Sequence, residues 1–109
     1  MTFTAWTNGE KGFGFKVSVE DRDKYFSKEN KVITIQLPEN NTFINIHCNT
    51  DKKTFWNKTC KELISKEIGT WLQKSNYYPW EKGKRPKFSA DKINNNKLRY
   101  LVNTKFLQV

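Results

Sequence analysis

The sequence is poor in the residues that usually carry out chemistry. Its 109 residues include one histidine, His47, and two cysteines, Cys48 and Cys60. Structural zinc sites take about four ligands in paired spacings. Neither cysteine lies in a CxxC, and the three residues together fall short of a full set. Buried, reduced thiols are the expectation, and so is a packed or surface histidine rather than a general base. No strand–GxxxxGK[ST]–helix phosphate loop occurs, and Gly12-Phe-Gly14 has the wrong spacing for one. Asp21 and Asp23 could share a metal, but Arg22 stands between them and no third acid is near. The expectation is therefore a chain without catalytic residues, metal or cofactor. No run approaches the roughly 20 apolar residues of a membrane span. The N-terminus lacks the basic-then-apolar layout of a signal peptide. Together these point to a cytoplasmic protein with no membrane partner. With three prolines, five glycines and no low-complexity stretch, there is no sign of a linker. Residues 1–109 read as one domain.

Aromatic residues are plentiful: eight Phe, four Tyr and four Trp. They exclude the composition of a disordered chain. The mean hydropathy of −0.85 demands a compact, aromatic-rich core under a polar surface. The net charge is +9 and the pI about 9.6. Such a balance points to an acidic partner, above all nucleic acid. The charge is skewed along the chain. Residues 1–51 sum to −1 and residues 52–109 to +10. A basic face built mainly by the second half is expected; a merely lysine-rich, solvated surface is the bland alternative.

Periodicity divides the chain. Phe3 to Trp6 is strand-like, and Asn8-Gly9 is a turn signal. Phe13, Phe15, Val17 and Val19 alternate with small or polar residues, as a half-buried strand does. Gly12 and Gly14 would leave its other face bare, form a bulge, or admit a close backbone. Residues 20–26 mix charges of both signs and read as a loop or short helical turn. Val32 to Leu37 is a β-branched strand stopped by Pro38. After a turn at Glu39-Asn-Asn41, Thr42 to Cys48 returns as its antiparallel partner. Trp56, Cys60, Leu63, Ile64, Ile68, Trp71 and Leu72 then fall on one helical stripe. Thr50 or Asp51 would cap it, and Ser65 with Glu67 could start a second helix within it. Phe88 to Ala90 and Lys97 to Val102 read as late strands joined through Asn94-Asn-Asn96, with Lys105 to Val109 as a last strand or tail. The fold class is mainly β with short helices (α+β), of a size that usually closes into a barrel or sandwich.

Two segments stand out from this frame. Residues 77–87 hold two prolines and a glycine and interleave aromatics with Lys82, Lys84, Arg85 and Lys87. Lysines there can neutralise phosphates, and Arg85 has the donor fork that reads guanine. Tyr77, Tyr78 and Trp80 could stack on bases or anchor the loop; for Trp80, directly after Pro79, anchoring is the better reading. The second segment is Ser18, Glu20, Asp21, Arg22, Asp23, Lys24 and Tyr25. A pure phosphate grip would not carry two aspartates. Carboxylates suit cytosine's amino group and arginine suits guanine, so this segment reads as a specificity element. A salt-bridged surface turn is its alternative.

These features occur in a recognisable order. Trp6 with Gly9, Gly12-Phe-Gly-Phe-Lys-Val-Ser18, Asp21-Arg-Asp23 and Phe26 come first. Phe55-Trp56, Cys60-Lys-Glu-Leu63, Glu67-Ile-Gly69, Trp71-Leu72, Pro79-Trp80, Gly83 and Pro86-Lys-Phe88 follow. In this order the chain resembles the DNA-binding pseudobarrel superfamily over roughly residues 3–102. The closest likeness is to the recognition domains of certain type II restriction endonucleases; plant auxin-response-factor type DNA-binding domains share that fold. The resemblance implies an open seven-stranded pseudobarrel whose two arms grip the major groove of double-stranded DNA. The first arm maps to residues 18–25 and the second to residues 74–85, adding Lys74 and Asn76 to the candidates. Phosphate contacts are then expected from Lys74, Lys82, Lys84 and Lys87. Base contacts are expected from Asp21, Arg22, Asp23, Asn76 and Arg85. The family pattern favours Pro-Pro where this chain has Arg85-Pro86, which adds a charge to the second arm. No catalytic residues carry over; in such enzymes the nuclease is a separate domain or subunit. Two rival classes share the basic, aromatic composition. One is an oligonucleotide-binding barrel for single-stranded DNA or RNA, and the other a protein-interaction module with an acidic partner.

Overall fold

The computed structural model describes residues 1–9, 12–57, 61–94 and 99–108. The second cysteine, Cys60, and the expected turn residues Asn95 and Asn96 lie outside them. Among the described residues the chain is mainly β with three short helices. In order come β1 (Thr2–Thr7), β2 (Phe13–Lys16), α1 (Val19–Tyr25), β3 (Val32–Glu39) and β4 (Thr42–Asn49). Then follow α2 (Lys53–Trp56), β5 (Glu62–Ile64), α3 (Lys66–Lys74), β6 (Lys87–Asn94) and β7 (Arg99–Gln108). The strands form one sheet in the order β4-β3-β7-β6-β1-β2-β5. All neighbours are antiparallel except β3 and β7. The edge strands β4 and β5 approach each other but share no ladder among the described residues. The sheet is thus curled and open, and the expected closure does not occur.

Curling puts one face inside. Phe15 opposes Ala5 and Leu63, and Phe3 opposes Phe88, so these residues share the inner face. All five are buried. Phe15 stacks on Phe3 at 5.4 Å and meets Phe88 and Trp71 edge-on at 5.8 and 6.3 Å. A large buried side chain contributes about 1.5–3 kcal/mol, so this aromatic cluster is the main source of cohesion for the polar chain. Gly14 is required by a close approach. A Cβ there would lie 2.2 Å from the Leu63 carbonyl oxygen, so only glycine lets β5 pair with β2.

The β3–β4 hairpin forms as expected, with a tighter turn. Asn40 and Asn41 both take positive φ, 48° and 64°, and make a two-residue loop. Asparagine tolerates that conformation, which matches the twist of the strands. Pro38 does not stop β3; it pairs with Phe43. Strand β7 pairs only Thr34 to Gln36, so Pro38 lies at a free edge, where a missing N–H costs nothing.

The single apolar stripe expected from Trp56 to Leu72 falls, among the described residues, in three elements. Strand β5 interrupts it, because Leu63 is drawn into the sheet opposite Phe15. Neither Thr50 nor Asp51 caps α2; the cap position is Lys52, with no side-chain hydrogen bond. Thr50 is buried instead, its hydroxyl donating to the Asn30 carbonyl at 2.9 Å. Ser65 does cap α3, accepting from the Glu67 N–H at 3.1 Å. The buried face of α3 is Ile68, Gly69, Trp71 and Leu72, and the Trp71 indole donates to the Pro38 carbonyl at 2.8 Å. Residues 105–108 continue β7 rather than forming a tail.

Two core groups make stability pH-dependent. Burial pushes the Cys48 thiol from 9.0 up to about 12. Burial also raises the Tyr100 hydroxyl, which donates to the Tyr25 carbonyl. Both are protonated in the fold and lose their protons sooner when unfolded. Their stabilising effect is therefore complete below pH 9.0 and declines above it. Each contributes about 1.4 kcal/mol per pH unit once its unfolded form ionises. Urea midpoints measured from about pH 7 to about pH 11 should fall progressively above about 9. In Cys48→Ala the decline should begin closer to 10, the ordinary value for Tyr100.

Candidate nucleic-acid interface

The outer face of the sheet carries the site. Lys16 opposes Thr4, and Thr4 opposes Lys87, so the three lie side by side across β2, β1 and β6. They alternate with the buried Phe15, Phe3 and Phe88, which turns them outward. Thr2 lies on the same face of β1, two residues away. Helix α1 stands beside this strip. Ser18 caps it, accepting from the Asp21 N–H at 3.0 Å, and Glu20 and Asp21 occupy its first turn. The Asp21 carboxylate also accepts from the Thr2 N–H at 3.2 Å, which holds α1 to β1. The result is a cleft of about 550 Å³ lined by Thr2, Thr4, Lys16, Ser18, Asp21, Lys61 and Lys87, with Val17 at its base. Three ammonium groups face one carboxylate there.

The arm at residues 75–86 meets the same strip at its other end. It leaves α3 through Asn76, at φ 65°, and the Tyr77 and Tyr78 N–H groups both donate to the Leu72 carbonyl. It rejoins the sheet where the Ala5 N–H donates to the Pro86 carbonyl at 2.8 Å. Asp21 grips β1 at Thr2 and Pro86 grips it at Ala5. The grips are three positions apart along β1, about 10 Å of strand. The first segment and the last residue of the second therefore meet β1 on either side of Thr4.

The first arm divides into engaged and outward residues. Arg22 is only 6% exposed. Its guanidinium donates to the Phe55 carbonyl at 2.9 Å, to the Asn57 carbonyl, and to Asp23 at 3.0 Å. It lies 5.5 Å from the Trp56 ring. Arg22 fastens α1 to α2 and is turned away from solvent, contrary to a base-reading role. Glu20, Asp23 and Lys24 are exposed, and Lys24 lies 5.3 Å over the Tyr25 ring.

Lys74, the last residue of α3, and Asn76, Lys82, Lys84 and Arg85 of the second arm are all exposed. Its tip is a tight turn: the Lys84 N–H donates to the Glu81 carbonyl at 2.9 Å, and Gly83 takes φ 82°. A 3.1 Å pair links the Lys84 and Glu81 side chains, both well exposed, so water and salt screen it. The aromatics hold the arm down. Tyr77 packs against Trp71 at 5.4 Å and edge-on to Phe88 at 5.0 Å. Burial raises its hydroxyl above the ordinary value. Tyr78 meets Phe13 and Trp80 edge-on at 5.0 and 5.3 Å. Anchoring, not an open stacking platform, is what these contacts provide.

Lys16 and Lys61 were not among the DNA-contact candidates named from sequence. For Lys16 a signal existed: it falls between Phe15 and Val17 in the alternation, so it had to face outward. Lys61 had none, because β5 was hidden in an apparent helix. His47 is exposed, with Nδ1 3.1 Å from the Thr34 hydroxyl. Among the described residues no group of three His, Cys, Asp or Glu could hold a metal, and no helix is long and apolar enough to cross a membrane. Comparison with protein families, curated proteins and solved structures finds no match to this chain.

Proposed function

We propose that this chain is a sequence-specific double-stranded DNA-binding domain of the pseudobarrel type. In this reading α1 and the 75–86 arm enter the major groove, and the strip between them lies against the backbone. The observation that carries it is the basic cleft of Lys16, Lys61 and Lys87 set between two polar arms. Phosphate contact there gives affinity, and the arms give choice. Exposed Glu20 and Asp23 are acceptors for cytosine amino groups, while Asn76 and Arg85 suit adenine and guanine. Arg22 shapes the first arm from beneath. The aromatic packing in the second arm favours duplex over single strand, since single-strand readers need open ring faces. By its resemblance the domain is the recognition module of a restriction-modification type system, with the nuclease on another segment or subunit.

Selection from a random duplex library at about 0.15 M salt, with single-stranded competitor, tests the reading. Enrichment of one short motif is the expected result. Retention by single strand instead would transfer the chain to the oligonucleotide-barrel class, and no retention at all would leave the acidic-protein partner. On the enriched duplex, Arg85→Ala should cost about 1–3 kcal/mol and relax preference at one base pair. Equal weakening on every sequence would make Arg85 a phosphate contact.

A further inference from the structure

A second basic cleft lies at the opposite end of α1. It measures about 290 Å³ and is lined by Lys28, Asp51, Lys52, Lys53 and Trp56. Its lysines come from two elements: Lys28 from the turn that follows α1, and Lys52 and Lys53 from the start of α2. Arg22 binds these elements together through the carbonyls of Phe55 and Asn57. The tie fixes α1 against α2, and the Lys28 ammonium lies 5.6 Å over the Trp56 ring of α2. Helix α1 has seven residues, so it spans about 10 Å. The major groove is about 12 Å wide. A helix seated there would bring each of its ends to one wall. The cleft with Lys16, Lys61 and Lys87 serves the N-terminal end, and the cleft with Lys28, Lys52 and Lys53 the C-terminal end.

Resting on the duplex-binding reading above, we infer that this second cleft seats the phosphate backbone of the strand opposite the one held by the first cleft. The chemistry favours phosphate over base. The Trp56 ring already has two cations over it, Arg22 at 5.5 Å and Lys28 at 5.6 Å. Its indole N–H donates to the Thr50 carbonyl at 2.9 Å. The ring is thus committed and holds Lys28 in place at the rim. Three lysines line the cleft against one described acid, Asp51. The two clefts bracket α1 and fix how deeply it can enter the groove.

The test uses the full chain and a random-sequence duplex of about three helical turns, with affinity measured across salt. The triple substitution Lys28→Ala, Lys52→Ala, Lys53→Ala should lower the slope of log affinity against log salt by about two to three, with the melting midpoint unchanged. Asp51→Asn should move affinity the other way. Preference among target sequences should be the same as in the parent. A slope equal to the parent's overturns the inference while duplex binding stands. An equal loss on single-stranded oligonucleotide also overturns it, because a groove wall requires a duplex. A parent chain that binds no duplex removes the function proposed above, and the inference with it.

Discussion

Arg22→Ala should cost about 2–4 kcal/mol of folding stability and lower the melting midpoint by about 10–25 °C. The side chain donates to two backbone carbonyls, of Phe55 and Asn57, and to the Asp23 carboxylate. Alanine leaves the buried Phe55 carbonyl without this donor and loosens the part-buried Asn57 contact, and a buried acceptor so left costs about 1–3 kcal/mol. It also releases α1 from α2, so the first arm loses its fixed height over the sheet. Arg22→Lys should recover little, because one ammonium cannot reproduce a planar fork that reaches both carbonyls and Asp23. Thermal melts of the three proteins check this directly. A base-reading Arg22 gives the opposite pattern: an unchanged melt, with preference lost at one base pair.

That residue shows where sequence reasoning stops. The segment from Ser18 to Tyr25 was legible as a polar element between strands, but Val19, which alternates with the strand before it, instead opens the helix that Ser18 caps. The direction of Arg22 was not legible, because its partners are carbonyls 33 and 35 residues away, and carbonyls carry no sequence signal. The β3–β4 hairpin was readable because β-branched alternation and paired asparagines act locally. The stripe from Trp56 to Leu72 misled for the opposite reason. Leu63 and Ile64 fit helical spacing, but Gly14 opens a place for β5 beside β2, and tertiary pairing overrides local period. The charge skew toward the second half was real in sequence yet incomplete in space. Lys16 and Lys28 come from the first half and join Lys61, Lys87, Lys52 and Lys53 in the two clefts.

The joint substitution Lys16→Ala, Lys87→Ala should weaken duplex binding about thirtyfold near 0.15 M salt. Each phosphate contact contributes about 0.9 to the slope of log affinity against log salt, so losing two removes about 1.8. Relative to about 1 M salt, where such contacts are screened out, that slope is worth a factor of about thirty at 0.15 M. Both side chains point outward from the sheet beside Thr4, and Lys87 is exposed, so the core beneath should be undisturbed. The melting midpoint should stay within a degree or two of the parent's. Because phosphates are the same in every sequence, the loss should be uniform, and the motif enriched by selection should not change. Arg85→Ala should do the reverse, with a small effect on the salt slope and a clear relaxation at one position. Measured together, the two variants separate grip from choice. If the lysine pair alters the preferred motif, the strip between the arms reads bases, and the division between cleft and arms proposed here is wrong.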